Sequence, residues 1–231
     1  MNANTSEPRY AIYFVPAPET ALYRFGASVL GYDAYNGRDV PSIATADPDW
    51  PDKVREPRIY GFHATLKPPF RLAAGADEAA LRAEFAALVR SQRAIDAGPL
   101  EVRALGPFIA LVPATPCPAL DQLAAACVQH VDHFRAPINR QERARRLASP
   151  LTERQKINLD RWGYPYVFDD FRFHMTLTGP LADDDRAQAK QWLTAEFASW
   201  PAAQRLVLDQ IVIARQAGGA FCVIHSAPFG T

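Results

Sequence analysis

The chain lacks net charge: its 231 residues include 25 Lys and Arg against 25 Asp and Glu. That balance excludes a long-range field able to gather bulk nucleic acid, while leaving room for a small ligand or one end of a nucleic acid. Long apolar runs are absent too. None approaches the roughly 18 residues of a membrane span, so no membrane partner is expected. The opening "MNANTSEPRY" lacks the basic start and apolar core of a secretory leader, and the chain reads as cytoplasmic. Cysteine is scarce. Cys117, Cys127 and Cys222 are odd in number and lack metal-like spacing, so they read as reduced thiols buried as small apolar side chains. Disorder is not indicated at 48% apolar and 22% charged residues, and the length suits one large domain or two small lobes sharing a core.

What the chain does have is one phrase written twice. "YGFHATLKPPF" begins at Tyr60 and "FRFHMTLTGPL" at Phe171. Both place an aromatic three residues before a histidine, Phe directly before it, and Thr and Leu two and three residues after it. Both reach proline, then an apolar residue, after the same interval.

The flanks repeat as well. A β-rich run at 10–18 precedes a helix starting at Glu19 or Thr20, with Leu22, Phe25, Val29 and Leu30 on one face. Residues 33–58 hold four of the 20 prolines with Asp, Asn and Gly, and predict a long loop. The first phrase is expected to be extended over 59–66 and to end at Pro68–Pro69. A helix over 77–91 and a hairpin over 100–113, turning at Gly106–Pro107, then follow. The second phrase is followed by a helix over 183–200 and a hairpin over 206–229, turning at Gly218–Gly219. The pattern predicts an α+β chain of residues 1–231. It would be a single bilobal domain of two β-α-β-β units related by an approximate twofold, with the motif strands facing a central cleft. The first lobe centres on 59–113 and the second on 170–229. A helical connector over about 119–163 joins them.

Side chains alternate along a strand. His63, Thr65 and Lys67 therefore share a face with Gly61, while Phe62, Ala64 and Leu66 face the core. In the second phrase Arg172, His174, Thr176 and Thr178 oppose Phe173, Met175 and Leu177. If the twofold brings the strands together, two imidazoles and two hydroxyls converge. Neutral imidazole takes a proton from water and imidazolium gives one to a leaving alkoxide, both forms being accessible with a pKa of about 6.5. The threonine hydroxyls would donate to nonbridging phosphate oxygens. The scheme calls for no metal and no cofactor.

The paired His-x-Thr-Leu phrases resemble those of the two-histidine (2H) phosphoesterase superfamily, whose signature is His, apolar, Ser or Thr, apolar, given twice. Over nearly the whole chain, "RYAIYFVP", "YGFHATLKPPF" and "RWGYPYVFDDFRFHMTLTGPL" resemble a bacterial branch of that superfamily often encoded beside genes for phosphonate breakdown. The resemblance implies a bilobal α+β fold with the motifs facing each other across a cleft. It also implies His63, Thr65, His174 and Thr176 as catalytic residues, and an enzyme that opens cyclic phosphodiesters or acts on 2′,5′ linkages.

Lys67 and Arg172 are candidate phosphate contacts, although Pro68 can turn Lys67 away and Arg172 can instead pair with Asp169 or Asp170. Tyr60, Tyr164 and Tyr166 are candidate substrate contacts; stacking on a ligand and packing within the protein both fit the latter two, as they do Trp162. The basic stretch 139–168 reads as a solvated connector, or else as a lid whose aromatics face the ligand. His130 and His133 lack an obvious third and fourth ligand and read as a solvated helix face.

The function expected is a metal-independent phosphoric diester hydrolase opening the cyclic phosphodiester of a small phosphorylated sugar or nucleotide, in phosphonate catabolism. The alternatives are an RNA-end 2′,5′-phosphodiesterase or ligase-like enzyme and a noncatalytic phosphate-ligand-binding accessory protein. A metal-dependent hydrolase is disfavoured, since two histidines and two threonines make a poor divalent site. Oligomeric state is not legible.

Overall fold

In the computed structural model, which describes residues 7–230, the aromatic opening run forms strand β1 (Arg9–Phe14). The Thr20 hydroxyl accepts from the Tyr23 amide and starts helix α1 (Ala21–Leu30), which ends at Gly31 in the left-handed region. The proline-rich stretch is more ordered than its composition predicts. It holds a two-stranded ribbon, β2 (Tyr32–Asp33) with β3 (Arg38–Asp39), and two single-turn helices, α2 (Trp50–Lys53) and α3 (Arg55–Arg58). Asp33 shapes the ribbon, its carboxylate accepting from Tyr23 Oη at 2.8 Å, the Tyr35 amide at 3.0 Å and Asn36 Nδ2 at 2.6 Å.

The first motif strand, β4 (Ala64–Phe70), lies several residues later than expected and runs through Pro68 and Pro69. The prolines fall where the register against β1 shifts, between the Ile12–Lys67 and Tyr10–Phe70 pairs, and an irregular ladder does not need their missing donors. Helix α4 (Glu78–Arg90), capped by Asp77, leads to the hairpin β5 (Ile95–Leu105) and β6 (Phe108–Pro113). Three helices fill the connector: α5 (Pro118–His130), α6 (Arg140–Leu147) and α7 (Glu153–Trp162). Both α6 and α7 open with capping boxes, Asn139 with Glu142 and Thr152 with Gln155. The second motif strand β7 (Met175–Thr176), helix α8 (Asp183–Ala198) and strands β8 (Arg205–Leu208), β9 (Gln210–Gln216) and β10 (Cys222–Pro228) complete the fold. Among the described residues no helix is long and apolar enough to cross a membrane.

The other eight strands form one antiparallel sheet in the order β10-β9-β1-β4-β7-β6-β5-β8. The motif strands β4 and β7 sit side by side at its centre. Helix α4 packs on β9 and β10, and α8 packs on β5 and β6. Each motif strand thus shares a half-sheet with the helix that follows it. The hairpins are exchanged: β5–β6 pairs with β7, and β9–β10 joins β1 beside β4. The units centred on 59–113 and 170–229 thus each contribute a hairpin to the other half-sheet. A twofold offers every hairpin two equivalent sheet positions, and adjacency in sequence does not choose between them.

The core side of the central strands is closed. Phe62, Ala64 and Leu66 are at most 2% exposed, and Met175 and Leu177 are fully buried. Phe62 lies against α1 where only glycine fits, since a Cβ on Gly26 would stand 2.0 Å from the Phe62 ring. Phe173 packs on Phe14 at 6.2 Å between ring centroids. The residue before each histidine is therefore an aromatic anchor, and strand alternation turns the histidine to the opposite face.

Candidate active site

Ala64 and Met175 are paired across the antiparallel β4–β7 ladder. One step either way sets His63 opposite Thr176 and Thr65 opposite His174, so the motifs interlock as a diagonal of alternating imidazoles and hydroxyls. On its far side β7 is held by β6, through Ala110–Thr176 and Leu111–Met175. Thr178 also works on that side. It is fully buried and its Oγ1 accepts from the Ile109 amide at 3.0 Å, which removes it from the cleft face on which alternation placed it.

Both imidazoles are oriented by the same local device. His63 Nδ1 lies 2.8 Å from the Gly61 carbonyl, and His174 Nδ1 lies 2.8 Å from the Arg172 carbonyl. A carbonyl only accepts, so each Nδ1 carries the hydrogen and each Nε2 keeps its lone pair. Gly61 reaches this geometry at φ 72°, and a Cβ there would meet Ala34 at 2.8 Å. Thr65 Oγ1 lies 3.0 Å from His63 Nε2 and donates to it, while His174 Nε2 has no protein partner among the described residues. Burial depresses both imidazoles. His63 is brought down to about 4, with His174 nearby opposing its charge further, and His174 is lowered by burial alone. Near neutrality both rings are uncharged and both can accept a proton. An anion between them would favour imidazolium and raise these values.

The cleft has two arms. The His63 arm, about 330 Å³, is walled by Tyr13, Tyr60, Thr65, Tyr164 and Thr176 together with several arginines. The His174 arm, about 480 Å³, is walled by Phe108, Tyr166, Phe168, Phe171 and Arg172. Thr65, Pro68, Val128 and Tyr164 line both arms, which are therefore adjacent.

Tyr60 stacks on Phe221 at 5.4 Å and stands 6.1 Å from the His63 ring. Tyr166 meets Tyr164 edge-on at 5.6 Å. Arg172 lines the His174 arm, and its backbone carbonyl is what orients His174. Lys67 is only 1% exposed, its ammonium held 2.9 Å from Asp132 and 3.0 Å from the Val128 carbonyl, so its charge is satisfied behind the cavity wall. His130 Nε2 lies 2.8 Å from Glu84, and His133 is exposed. Among the described residues no three His, Cys, Asp or Glu side chains converge as a metal-binding group. The three cysteines are free thiols, of which only Cys127 is fully buried.

Arg9 and Tyr13, outside both motifs, also line the cleft. Tyr13 pairs with Thr65 across β1–β4, is 1% exposed, and has no hydrogen-bond partner for its hydroxyl among the described residues. Alternation along "RYAIYF" puts Arg9 and Tyr13 on one face. The sequence holds no signal that β1 lies beside the first motif strand.

Residues 65–221 match the model of a family described as "Protein of unknown function (DUF1045)". A protein of Janthinobacterium sp. (strain Marseille) named ribose 1,5-bisphosphate phosphokinase PhnN is 37% identical over 98% of this chain and 52% of its own length. One of the same name from Laribacter hongkongensis (strain HLHK9) is 34% identical over 92% of this chain and 50% of its own. The chain therefore spans about half the length of these curated relatives. Among solved structures, E. coli LigT complexed with 3′-AMP aligns over 97% of this chain and 100% of that chain, at 13% identity and a TM-score of 0.43.

Proposed function

The chain belongs to the family described as protein of unknown function (DUF1045), and we propose that it opens the cyclic phosphodiester of a small phosphorylated sugar or nucleotide by paired-histidine acid–base catalysis. One observation carries the reading: the Ala64–Met175 pair, which sets both histidines and both threonines on one side of one ladder. Phosphorus would sit between the two Nε2 atoms. One imidazole takes a proton from water as the water oxygen bonds to phosphorus. The other imidazole, protonated, gives its proton to the ring oxygen as that P–O bond breaks, leaving an alcohol and a phosphate monoester. Thr176 donates to a nonbridging oxygen, where negative charge must be held, and Thr65 does the same when its one hydroxyl hydrogen turns from His63 Nε2 to the ligand, which frees that lone pair for the water proton. His63, the ring brought down to about 4, suits the base, and His174 the acid.

The relatives' name describes a kinase. This chain contains no Gly-x4-Gly-Lys-Ser/Thr loop to cradle nucleotide phosphates and corresponds to one half of each relative. What the name supports is a phosphorylated sugar as the kind of molecule handled, in line with the phosphonate-breakdown setting of the branch that the motifs resemble.

The test is a panel of cyclic phosphates offered to purified protein in EDTA, with monoester release as the readout. His63→Ala and His174→Ala should each lose on the order of 10²–10⁴ in rate. Failure of the folded protein to turn over any of the panel ends the reading. Binding that survives exchange of both histidines for asparagine, with no product, would leave a phosphate-binding protein in its place.

A further inference from the structure

The His63 arm carries more positive charge than a cyclic phosphodiester can balance. Arg9, Lys67, Arg71, Arg135, Arg145 and Arg146 line it, against the single carboxylate of Glu142. Glu142 grips Arg71 through both oxygens, at 2.7 and 2.8 Å. Lys67 and Arg135 share Asp132, each at 2.9 Å. Three guanidinium groups then form no salt bridge among the described residues, Arg145 acting on Glu142 only through its charge. Arg9 donates to the neutral amide of Gln216 and lies 5.5 Å from the Phe221 ring centroid. Arg146 lies over the Tyr164 ring at 4.7 Å, and Arg145 stands beside it on α6.

Guanidinium groups gathered in one concave site repel one another, and a multiply charged anion relieves that repulsion through forked hydrogen bonds. A cyclic phosphodiester brings one negative charge. A phosphate monoester brings about 1.5 to 2 more, and together they match the three unbalanced arginines. The His174 arm shows no such excess, since Arg154 and Arg172 line it with Asp169 and Asp170. Nor does the charge run on as a track along the connector. Arg143 is forked onto Asp160 at 2.7 and 3.0 Å, and Arg154 onto Asp170 at 2.8 and 3.0 Å.

We propose that the substrate carries a second phosphate, a terminal monoester on the same small frame as the cyclic phosphodiester, and that Arg9, Arg145 and Arg146 bind it at the His63 end of the cleft. This deepens the function proposed above and rests on it for the cyclic half of the ligand. The anionic half stands on the charge census alone.

Two measurements separate the two claims. Turnover is compared for ribose 1,2-cyclic phosphate with and without a 5-phosphate. The monoester should improve kcat/KM by about 10- to 100-fold, mainly through KM, the worth of one or two charge-assisted hydrogen bonds. The preference should collapse toward one in the Arg145→Ala/Arg146→Ala variant and shrink in Arg9→Gln, with unchanged melting temperatures confirming the fold. Equal turnover of both sugars by the unsubstituted protein overturns the subsite while leaving the phosphodiesterase standing. Preference for a dinucleotide ending in a 2′,3′-cyclic phosphate over either sugar overturns it in favour of a polynucleotide end. The second measurement is calorimetric binding of ribose 5-phosphate, which needs no catalysis. Binding that is lost in the Arg145→Ala/Arg146→Ala variant supports the subsite even if no cyclic phosphate is turned over, and absence of binding by the unsubstituted protein overturns it.

Discussion

Tyr13 lies against His63, the ring centroids 3.9 Å apart and the planes inclined by 33°. The contact helps desolvate the imidazole and brings a second polar group to the same cavity. The Tyr13 hydroxyl is buried without a partner, and burial holds its pKa well above the usual phenol range, so it stays a neutral donor. An unmet buried hydroxyl costs about 1–3 kcal/mol.

A ligand oxygen in the cavity would meet that hydroxyl, which makes Tyr13→Phe informative. Removing a group that has no protein partner should leave the melting temperature unchanged or raise it, while kcat/KM for a cyclic phosphate falls by roughly tenfold, the worth of one hydrogen bond to a charged group. Thermal melts and steady-state kinetics on the same preparation check both halves. A destabilised variant with intact turnover would make Tyr13 a packing residue only.

The depressed histidines predict two pH effects. For stability, the native His63 value near 4 lies below the roughly 6.5 of an unfolded histidine, so the native state binds fewer protons between these values. The stabilisation is complete above about pH 6.5 and is lost as pH falls toward 4. Depressed carboxylates such as Glu142, at about 2, lose their share at lower pH still. His63→Asn should therefore flatten the stability change between pH 7 and 4.5, measured by denaturant unfolding, and an unaltered slope would contradict the buried neutral ring. For catalysis, a base near 4 and an acid below 6.5 place the kcat/KM optimum on the acid side of neutrality, in a bell-shaped profile. A single rising limb would contradict the acid–base pairing.

Lys67 raises a different question, because its neighbours account for its charge. Asp132→Asn would leave a buried ammonium facing the Val128 carbonyl without its counter-ion and would also release Arg135, so a loss of about 3 kcal/mol is expected. Lys67→Met removes charge and desolvation cost together and should be far milder. If KM for the cyclic substrate rises steeply in Lys67→Met while stability holds, the ammonium contacts substrate after all. A small KM change assigns it to the wall.

The site was more legible in the sequence than the topology around it. Strand alternation alone separates His63 and Thr65 from Phe62 and Leu66, and repetition of the phrase argues that the two strands are equivalent. Neighbourhood was not legible. Nothing in "RYAIYF" announces that β1 lies against β4, so Arg9 and Tyr13 stayed hidden, and nothing in either hairpin says that it crosses the twofold. Thr178 illustrates the limit of alternation: β7 ends at Thr176, and two residues later the chain has turned its hydroxyl into the β6 backbone. The charge census of the connector was equally beyond reach, because pairing of Arg71 with Glu142 and of Arg143 with Asp160 depends on how α6 docks.

Gly26 and Phe62 test whether the aromatic anchor positions the catalytic ring. A Cβ at residue 26 would fall 2.0 Å from Phe62 Cγ, inside any tolerable contact, so Gly26→Ala must displace the ring that precedes His63. Overpacking of this kind costs about 1–3 kcal/mol. Because Phe62 and His63 are consecutive on opposite faces of one backbone, the displacement should move Nε2 relative to His174 and lower kcat more than it raises KM. Gly26→Ala combined with Phe62→Leu relieves the clash at a smaller volume cost and should recover part of both stability and kcat, a coupling that a double-mutant cycle measures directly. Recovery of stability without any recovery of kcat would show that Phe62 supports the core and leaves the aim of His63 to the Gly61 carbonyl alone.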